Sequence, residues 1–200
     1  MLLKADALTC LRGGRIIFSD LSFSVGAGEA IQVVGPNGAG KSSLLRLIAG
    51  LVPVAAGSLV LEGGDAEARI GEQAHYCGHQ DAFKQALTVA ENLGFWTDFL
   101  GGGGLPPQAA LARLGLGHLA DLPAAYLSAG QRRRLALARL LTVSRPLWLL
   151  DEPTAALDRA SQAELAALMA EHVAAGGIVM AATHGPLGIP ARDLVIGSAP

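Results

Sequence analysis

The sequence predicts an α/β domain with a mainly parallel sheet, an added antiparallel layer and a helical subdomain. Short β-like runs open the chain, and apolar strands then alternate with helical segments from Lys41 onward. Between Phe83 and Tyr126 the pattern becomes helical and rich in loops. A chain of 200 residues can bury one substantial core, so we expect a single domain over residues 1–200.

The first elements are strands that precede a single helix. The runs "MLLKADALTC" and "RIIFSDLSFSV" alternate partially, which predicts a half-buried antiparallel layer, whereas "EAIQVVG" indicates a strand buried on both faces. The segment "KSSLLRLIAGL" has leucines at helical spacing from Lys41, and Gly50 and Pro53 mark its end. The run "GSLVLEGGD" predicts another strand.

The later elements supply the helical subdomain and the rest of the sheet. We expect the subdomain to comprise approximately 83–126 together with a helix over 127–141, and "GGGGLPP" to form a loop at its tip. The apolar run "RPLWLLDEP" predicts a strand, and Ser161 with Glu164 predicts a capping box that starts the next helix. The runs "IVMAATH" and "DLVIG" predict the last two strands.

Bulk properties exclude several classes of protein. A formal net charge of −2 gives no electrostatic case for nucleic acid, and we expect no nucleic-acid partner. Half of the residues are apolar, but the longest apolar stretches end well before the ~20 residues needed to span a bilayer. No secretory leader is recognisable, and Cys10 and Cys77 form no disulfide framework. We therefore expect a protein of the cytoplasmic compartment.

A glycine-rich loop lies between a predicted strand and a predicted helix. Its sequence "GPNGAGKSS" fits the phosphate-loop pattern in the structural context that the pattern requires. The backbone N–H groups of such a loop face a polyphosphate, while Lys41 reaches the β- and γ-phosphates and the Ser42 hydroxyl binds Mg²⁺. The predicted nucleotide-binding residues here are Gly35, Pro36, Asn37, Gly38, Ala39, Gly40, Lys41, Ser42 and Ser43.

Two acids follow the hydrophobic strand "LWLL". Asp151 comes directly after the strand, where it can hold Mg²⁺ directly or through water. Glu152 is placed to polarise a water in line with the γ-phosphate, and we predict it to be the general base.

A second anion site is indicated at "LSAGQ", where a helix begins. The first N–H groups of a helix lack partners inside the helix, and the helix dipole is positive at this end. Ser128, Gly130 and Gln131 are therefore candidate ligands of an anion.

These motifs together resemble the nucleotide-binding subunits of ABC transporters, over almost the whole chain. The loop "GPNGAGKSS" resembles Walker A, "LWLLDEP" resembles Walker B, and "LSAGQ" resembles the signature motif, with Ala129 where glycine is commoner. The run "AALD" resembles the D-loop, Gln80 falls at the Q-loop glutamine, and His184 matches the switch histidine.

The resemblance implies a P-loop NTPase fold of the ABC type, with ATP and Mg²⁺ as ligands and hydrolysis of ATP as the activity. Two copies would pair head to tail, so that Ser128, Gly130 and Gln131 complete the site of the other copy. Gln80 and His184 join Glu152 as catalytic residues, and Gln80 joins Ser42 and Asp151 as a metal ligand. Arg12 falls where the family usually stacks an aromatic residue on adenine, and a guanidinium can also stack on a base.

Four longer segments narrow the resemblance to the heme-exporter ATPases of bacterial cytochrome c biogenesis. They are "GPNGAGKSSLLRLIAGL", "YCGHQDAFKQALTVAENLGFW", "LSAGQRRRLALARLL" and "RPLWLLDEPTAALD". This implies a peripheral subunit on the cytoplasmic face of the inner membrane that works with membrane proteins resembling CcmB, CcmC and CcmD. Its hydrolysis of ATP would drive release of the heme-loaded chaperone CcmE.

Other interpretations stay open at this stage. An ATPase for another cargo, or a nucleotide-switched ABC protein without transport, would carry the same motifs. His75, Cys77 and His79 alternate, so they indicate either a metal or heme ligand set or simply a buried strand. Phe95, Trp96 and Phe99 fit either an anchor for a membrane partner or the subdomain core.

Overall fold

The computed structural model describes residues 1–79 and 82–197, which form two compact units. The first unit comprises Met1–Gly78, Pro146–Pro153 and the chain from Ala166 onward. The second comprises His79–Arg145 and Thr154–Leu165. The predicted subdomain segments, 83–126 and 127–141, fall within the second unit, and their boundaries as a subdomain remain a prediction.

The strands lie in the first unit and form two sheets. In chain order they are β1 (Leu2–Arg12), β2 (Arg15–Gly26), β3 (Ala30–Val34), β4 (Ala56–Glu62), β5 (Ala74–Cys77), β6 (Leu147–Asp151), β7 (Ile178–Ala182) and β8 (Arg192–Val195). An antiparallel sheet has the order β2-β1-β4, and a parallel sheet has the order β5-β6-β7-β3-β8. The predicted α/β class with an added antiparallel layer is therefore confirmed.

Burial explains why the two kinds of strand differ in sequence. Every residue of β6 and β7 is buried, and both strands are continuous apolar runs apart from Asp151 at the end of β6, whereas β1 alternates over much of its length. A core between the sheets includes Leu3, Leu8, Ile31 and Leu44, all fully buried. Burial of such a side chain contributes roughly 1.5–3 kcal/mol, so these contacts fix the strands that carry the site.

The described residues, 1–79 and 82–197, contain five α-helices, and side-chain caps mark the start of α2 and α4. The helices are α1 (Lys41–Ile48), α2 (Val89–Leu100), α3 (Pro107–Arg113), α4 (Ala129–Thr142) and α5 (Arg159–Ala174). Thr88 and Glu91 form a capping box at α2, and Ser128 and Gln131 form another at α4. No helix within 1–79 and 82–197 is long and apolar enough to cross a membrane.

The predicted start of α5 is wrong by three residues, because a cap at Ser161 would start the helix at position 162. The helix begins at Arg159, because the Asp158 carboxylate accepts a hydrogen bond from the Ser161 backbone N–H at 2.8 Å. Glu164 is not part of a cap; its carboxylate accepts from Arg113 Nε at 2.7 Å. The acid that caps the helix is therefore the last residue of "AALD".

His172, which the sequence does not distinguish from an ordinary helix position, is packed against the parallel sheet. Its ring stacks on that of Trp148, with centroids 4.0 Å apart, and its Nε2 lies 3.1 Å from the Pro146 carbonyl oxygen. A Cβ at Gly177 would collide with this ring, so a side chain at that position would displace the His172 ring. Burial lowers the pKa of His172, although the carbonyl contacts oppose the shift.

We expect this histidine to make folding stability depend on pH. Its pKa in the folded protein is below the unfolded value of ~6.5, so the unfolded chain binds more protons as the pH falls through that value. The stabilisation is complete above pH ~6.5 and is lost as the pH falls below it. Thermal midpoints between pH 5 and pH 8 test this. His172→Gln should flatten the acid-side decline, whereas the exposed control His118→Gln should keep it; equal slopes in both would contradict the prediction.

Candidate active site

The phosphate loop joins β3 to α1, and its shape depends on glycine at two positions. Gly35 and Gly40 have φ values of 151° and 103°, in the region that disfavours side chains. A Cβ at Gly40 would lie 2.6 Å from Ile17 Cγ2, and one at Gly35 would collide with the Ile196 carbonyl oxygen. Any other residue at either position would displace the loop.

Lys41 is buried at the first position of α1, and its own loop holds its ammonium group. Nζ donates to the carbonyl oxygens of Gly35 at 2.7 Å and Pro36 at 3.1 Å. The cation is thus fixed beside the backbone that would surround a phosphate, so little rotamer entropy is left to lose on binding.

Ser42 and Asp151 come together from α1 and from the end of β6. The Ser42 hydroxyl donates to Asp151 Oδ1 at 2.9 Å, and Asp151 is buried. Adjacent oxygens around octahedral Mg²⁺ at 2.0–2.1 Å stand about 2.9 Å apart, so this pair fits two neighbouring ligand positions of that ion.

Glu152 and His184 lie near each other at the ends of neighbouring strands. The Glu152 backbone has a φ of 48°, and its N–H donates to the Ala182 carbonyl oxygen at 2.8 Å. His184 Nε2 is 3.7 Å from Glu152 Oε1. The loop that carries His184 is anchored because Gln32 Nε2 donates to the Gly185 carbonyl oxygen at 3.1 Å.

One cavity of about 270 Å³ collects these side chains in the first unit. Its lining residues are Ile17, Asn37, Gly38, Gly40, Lys41, Ser42, Ser43, Asp151, Glu152 and His184. The volume lies just below the ~300–1,000 Å³ of whole ligand pockets, so it suits the phosphates of a nucleotide better than the entire molecule.

Several predicted site residues are placed elsewhere. Gly35, Pro36 and Ala39 shape the loop without lining the cavity, and from the β1–β2 hairpin Ile17 lines it rather than Arg12. Gln80 lies outside the described residues, so its predicted catalytic and metal-binding roles remain predictions. Ser128, Gly130 and Gln131 belong to the second unit.

Tyr76 and Arg46 are site residues that the sequence analysis missed. Arg46 Nε donates to Tyr76 Oη at 3.0 Å, and Oη donates to Asp151 Oδ2 at 3.4 Å. Burial raises the pKa of Tyr76, and the hydrogen bond to Tyr76 raises that of Arg46. The sequence contained a partial indication of the role of Tyr76. Side chains alternate along a strand, so Tyr76 faces the side of the sheet opposite to His75 and Cys77.

The signature helix α4 begins with a satisfied cap and a tight contact. Ser128 Oγ accepts from the Gln131 N–H at 3.2 Å, and Gln131 Oε1 accepts from the Ser128 N–H at 2.8 Å. A Cβ at Gly130 would lie 2.9 Å from the Ala156 carbonyl oxygen, so glycine also permits the D-loop to approach the helix. The N–H groups of Ala129 and Gly130 remain at the helix start, where no intrahelical acceptor exists.

Two open interpretations can be compared with the geometry. Phe95 and Phe99 are 49% and 69% exposed, whereas Trp96 is half-buried and donates through Nε1 to the Ala82 carbonyl oxygen at 2.7 Å. The two phenylalanines are thus outside the core. His75 and Cys77 are buried in β5, and residues 1–79 and 82–197 contain no group of three or more acidic, histidine or cysteine side chains arranged for a metal.

A phosphate loop after β3, an acid pair at the end of β6 in the same parallel sheet and a histidine after β7, all around one cavity, define a P-loop nucleoside triphosphatase. The ABC transporter family model matches residues 18–155. The chain therefore belongs to the ABC transporter family, as an ATP-hydrolysing ATP-binding subunit, which confirms the predicted family and activity.

Several curated relatives match along the full chain, each named cytochrome c biogenesis ATP-binding export protein CcmA. The protein of Nitrobacter winogradskyi is 62% identical over 199 residues, and one from Rhodopseudomonas palustris is 57% identical, each match covering 100% of both chains. That of Bradyrhizobium diazoefficiens is 59% identical over 98% of each.

Solved structures agree with the fold. A putative ABC transporter ATP-binding protein from Pyrococcus furiosus superimposes with a TM-score of 0.83 at 20% identity, covering 98% of each chain. An ATP-binding subunit of an ABC transporter gives 0.81 at 26% identity, covering 92% of this chain and 80% of that one.

Proposed function

We propose that this chain is the ATP-hydrolysing subunit of a membrane complex that handles heme in cytochrome c maturation. The observation that carries the proposal is full-length identity of 55–62% to relatives named as ATP-binding export proteins of cytochrome c biogenesis. Because the identity extends over the entire chain, it covers the surface residues that would contact partner proteins as well as the phosphate loop.

Within one chain, the proposed chemistry is divided among the residues of the cavity. Lys41 binds the β- and γ-phosphates, and Ser42 and Asp151 are the oxygen ligands for Mg²⁺. When bound, the ion would neutralise charge that develops on the phosphates. Glu152 accepts a proton from the attacking water, and His184 contacts the γ-phosphate side of the cavity. Gln80 is proposed as a further ligand and catalytic residue.

A second copy of the chain completes the site in this proposal. Ser128, Gly130 and Gln131 of one copy would cover the ATP bound to the other. The capping box supports the arrangement because it fixes the start of α4 without using the Ala129 and Gly130 N–H groups. These donors and the positive end of a 14-residue helix would then stabilise the γ-phosphate.

The proposed membrane partners resemble CcmB, CcmC and CcmD, with the chaperone CcmE acted on indirectly at the inner membrane. We propose Phe95 and Phe99 as an aromatic anchor for one of them. Their rings stack with centroids 5.9 Å apart, and Lys84 Nζ lies 5.8 Å from the Phe95 ring centroid. Aromatic residues, phenylalanine included, are enriched in protein–protein interfaces relative to the rest of the surface.

Affinity capture from native membranes tests this proposal. We expect the wild-type chain to copurify with a CcmB-like protein, and Phe95→Ala/Phe99→Ala to reduce capture by about 10-fold or more while leaving ATP binding intact. Leu51→Ala, at a side chain 63% exposed, is the matched control and should capture normally. Undiminished capture by the double variant would exclude the anchor, and capture of an unrelated permease would exclude the heme role.

A further inference from the structure

The Asp151 carboxylate is held on both of its oxygens by side chains from separate elements. Oδ1 accepts from Ser42 at 2.9 Å, and Oδ2 accepts from Tyr76 at 3.4 Å. Arg46 Nε donates to the same Tyr76 oxygen at 3.0 Å, which leaves the phenol proton directed toward Asp151. A carboxylate contacted in this way cannot rotate freely about its last bond.

The fold explains how these residues meet. Ser42 and Arg46 are four residues apart in α1, so they lie on one face of that helix. Strand β5 pairs in parallel with β6, and Tyr76 is opposite Leu149, two residues before Asp151. One helix face therefore reaches Oδ1 directly through Ser42 and reaches Oδ2 through Arg46 and Tyr76.

We propose that Tyr76 and Arg46 are positioning residues that orient the Asp151 carboxylate for the divalent cation bound with ATP. This inference rests on the proposed role of Ser42 and Asp151 as metal ligands. Partners that hydrogen-bond a ligating carboxylate fix its orientation, and their loss typically lowers metal affinity about 10- to 100-fold. Arg46 acts through Tyr76, since it holds the oxygen that donates to Asp151.

A competing explanation is that Tyr76 only fills space in the core. The two explanations differ in what happens when the hydroxyl alone is removed. Tyr76→Phe keeps the ring, so a filler would tolerate it, whereas a positioning residue would lose its contact with both Arg46 and Asp151.

The test compares nucleotide binding with and without metal, in the full-length chain. The probes are a non-hydrolysable ATP analogue in EDTA and the same analogue in excess Mn²⁺, measured by calorimetry. We expect Mn²⁺ to strengthen binding by the wild type. In Tyr76→Phe this enhancement should fall about 10-fold while affinity in EDTA stays unchanged, and Arg46→Gln should give a smaller fall.

Two controls separate positioning from general damage. Tyr126→Phe alters the other tyrosine of the chain, which is 73% exposed, and should keep the full enhancement. In an Asp151→Asn background, Tyr76→Phe should produce no further loss, because the residue through which it acts has been altered.

Three results would overturn the inference. An unchanged enhancement in Tyr76→Phe would show that the hydroxyl does not act on the metal. Equal losses in EDTA and in Mn²⁺, with a lower thermal midpoint, would assign the tyrosine to packing alone. If the wild type gains no affinity from Mn²⁺, the metal-ligand assignment of Ser42 and Asp151 fails, and the positioning role fails with it.

Discussion

Glu152→Gln is expected to reduce ATP turnover by roughly 10²- to 10⁴-fold, which is the usual contribution of a general base. The amide keeps the size of the side chain but accepts no proton from water at neutral pH. Nucleotide affinity should change little, because Lys41 and the loop backbone are untouched. Phosphate release under single-turnover conditions, with ATP binding measured separately, provides the test.

The same variant should accumulate an ATP-bound dimer, because the γ-phosphate that would join two copies is no longer removed. Gel filtration with and without ATP measures this. Glu67→Gln changes an exposed acid of the first unit in the same way and should leave both turnover and elution unaltered. Normal turnover in Glu152→Gln would refute its assignment as the base.

Lys41→Ala is expected to weaken ATP binding by about 30-fold or more. Truncating one partner of a buried, hydrogen-bonded charge pair typically costs 2–5 kcal/mol, and 2 kcal/mol corresponds to about 30-fold. The loop would also lose its internal donor, since two backbone carbonyls now accept from Nζ. Both effects lower affinity, and hydrolysis should fall with it.

Calorimetric titration with ATP measures the effect, and circular dichroism verifies that the variant folds. Lys4→Ala removes a positive charge from an exposed position of β1 and should bind ATP normally. If Lys41→Ala binds and hydrolyses ATP at the wild-type level, the assignment of Lys41 and its loop to phosphate binding is wrong.

The sequence predicts the phosphate loop well because its information is local. Gly35, Gly40, Lys41 and Ser42 lie within eight residues. The backbone conformation of the loop requires the glycines, and the same loop joins the flanking strand to the flanking helix. Asp151 is predictable for a related reason, since it is the last residue of a strand that is otherwise apolar.

Features that depend on packing between distant segments were missed. Tyr76 and Arg46 are 30 residues apart, and only the neighbouring positions of β5 and α1 bring them to Asp151. His172 has the spacing of an ordinary helix residue, and its burial becomes visible only when Trp148 is placed beneath it. Helical periodicity likewise could not show that Phe95 and Phe99 stay exposed while Trp96 packs inward.

The start of α5 shows a competition between local signals. Ser161 with Glu164 satisfies the capping-box pattern, but Asp158 offers a carboxylate three residues earlier, and that acceptor prevails. The bond to the Ser161 N–H lowers the pKa of Asp158, so this carboxylate stays ionised to a lower pH than an unbonded aspartate. The sequence alone does not show which of the two caps, Asp158 or Ser161 with Glu164, starts the helix. That choice also depends on the hydrogen bond from Arg113 to the Glu164 carboxylate.

The left-handed backbone of Glu152 has a consequence for protein engineering. A φ of 48° costs a residue with a side chain about 1–2 kcal/mol, and glycine or asparagine would adopt it with less strain. Selection for thermal stability alone would therefore favour replacements at position 152, and with Glu152 as the proposed base these replacements would lose ATP hydrolysis. A mutant library designed to raise thermal stability should keep Glu152 unchanged, or every stabilised variant should be assayed for ATP hydrolysis.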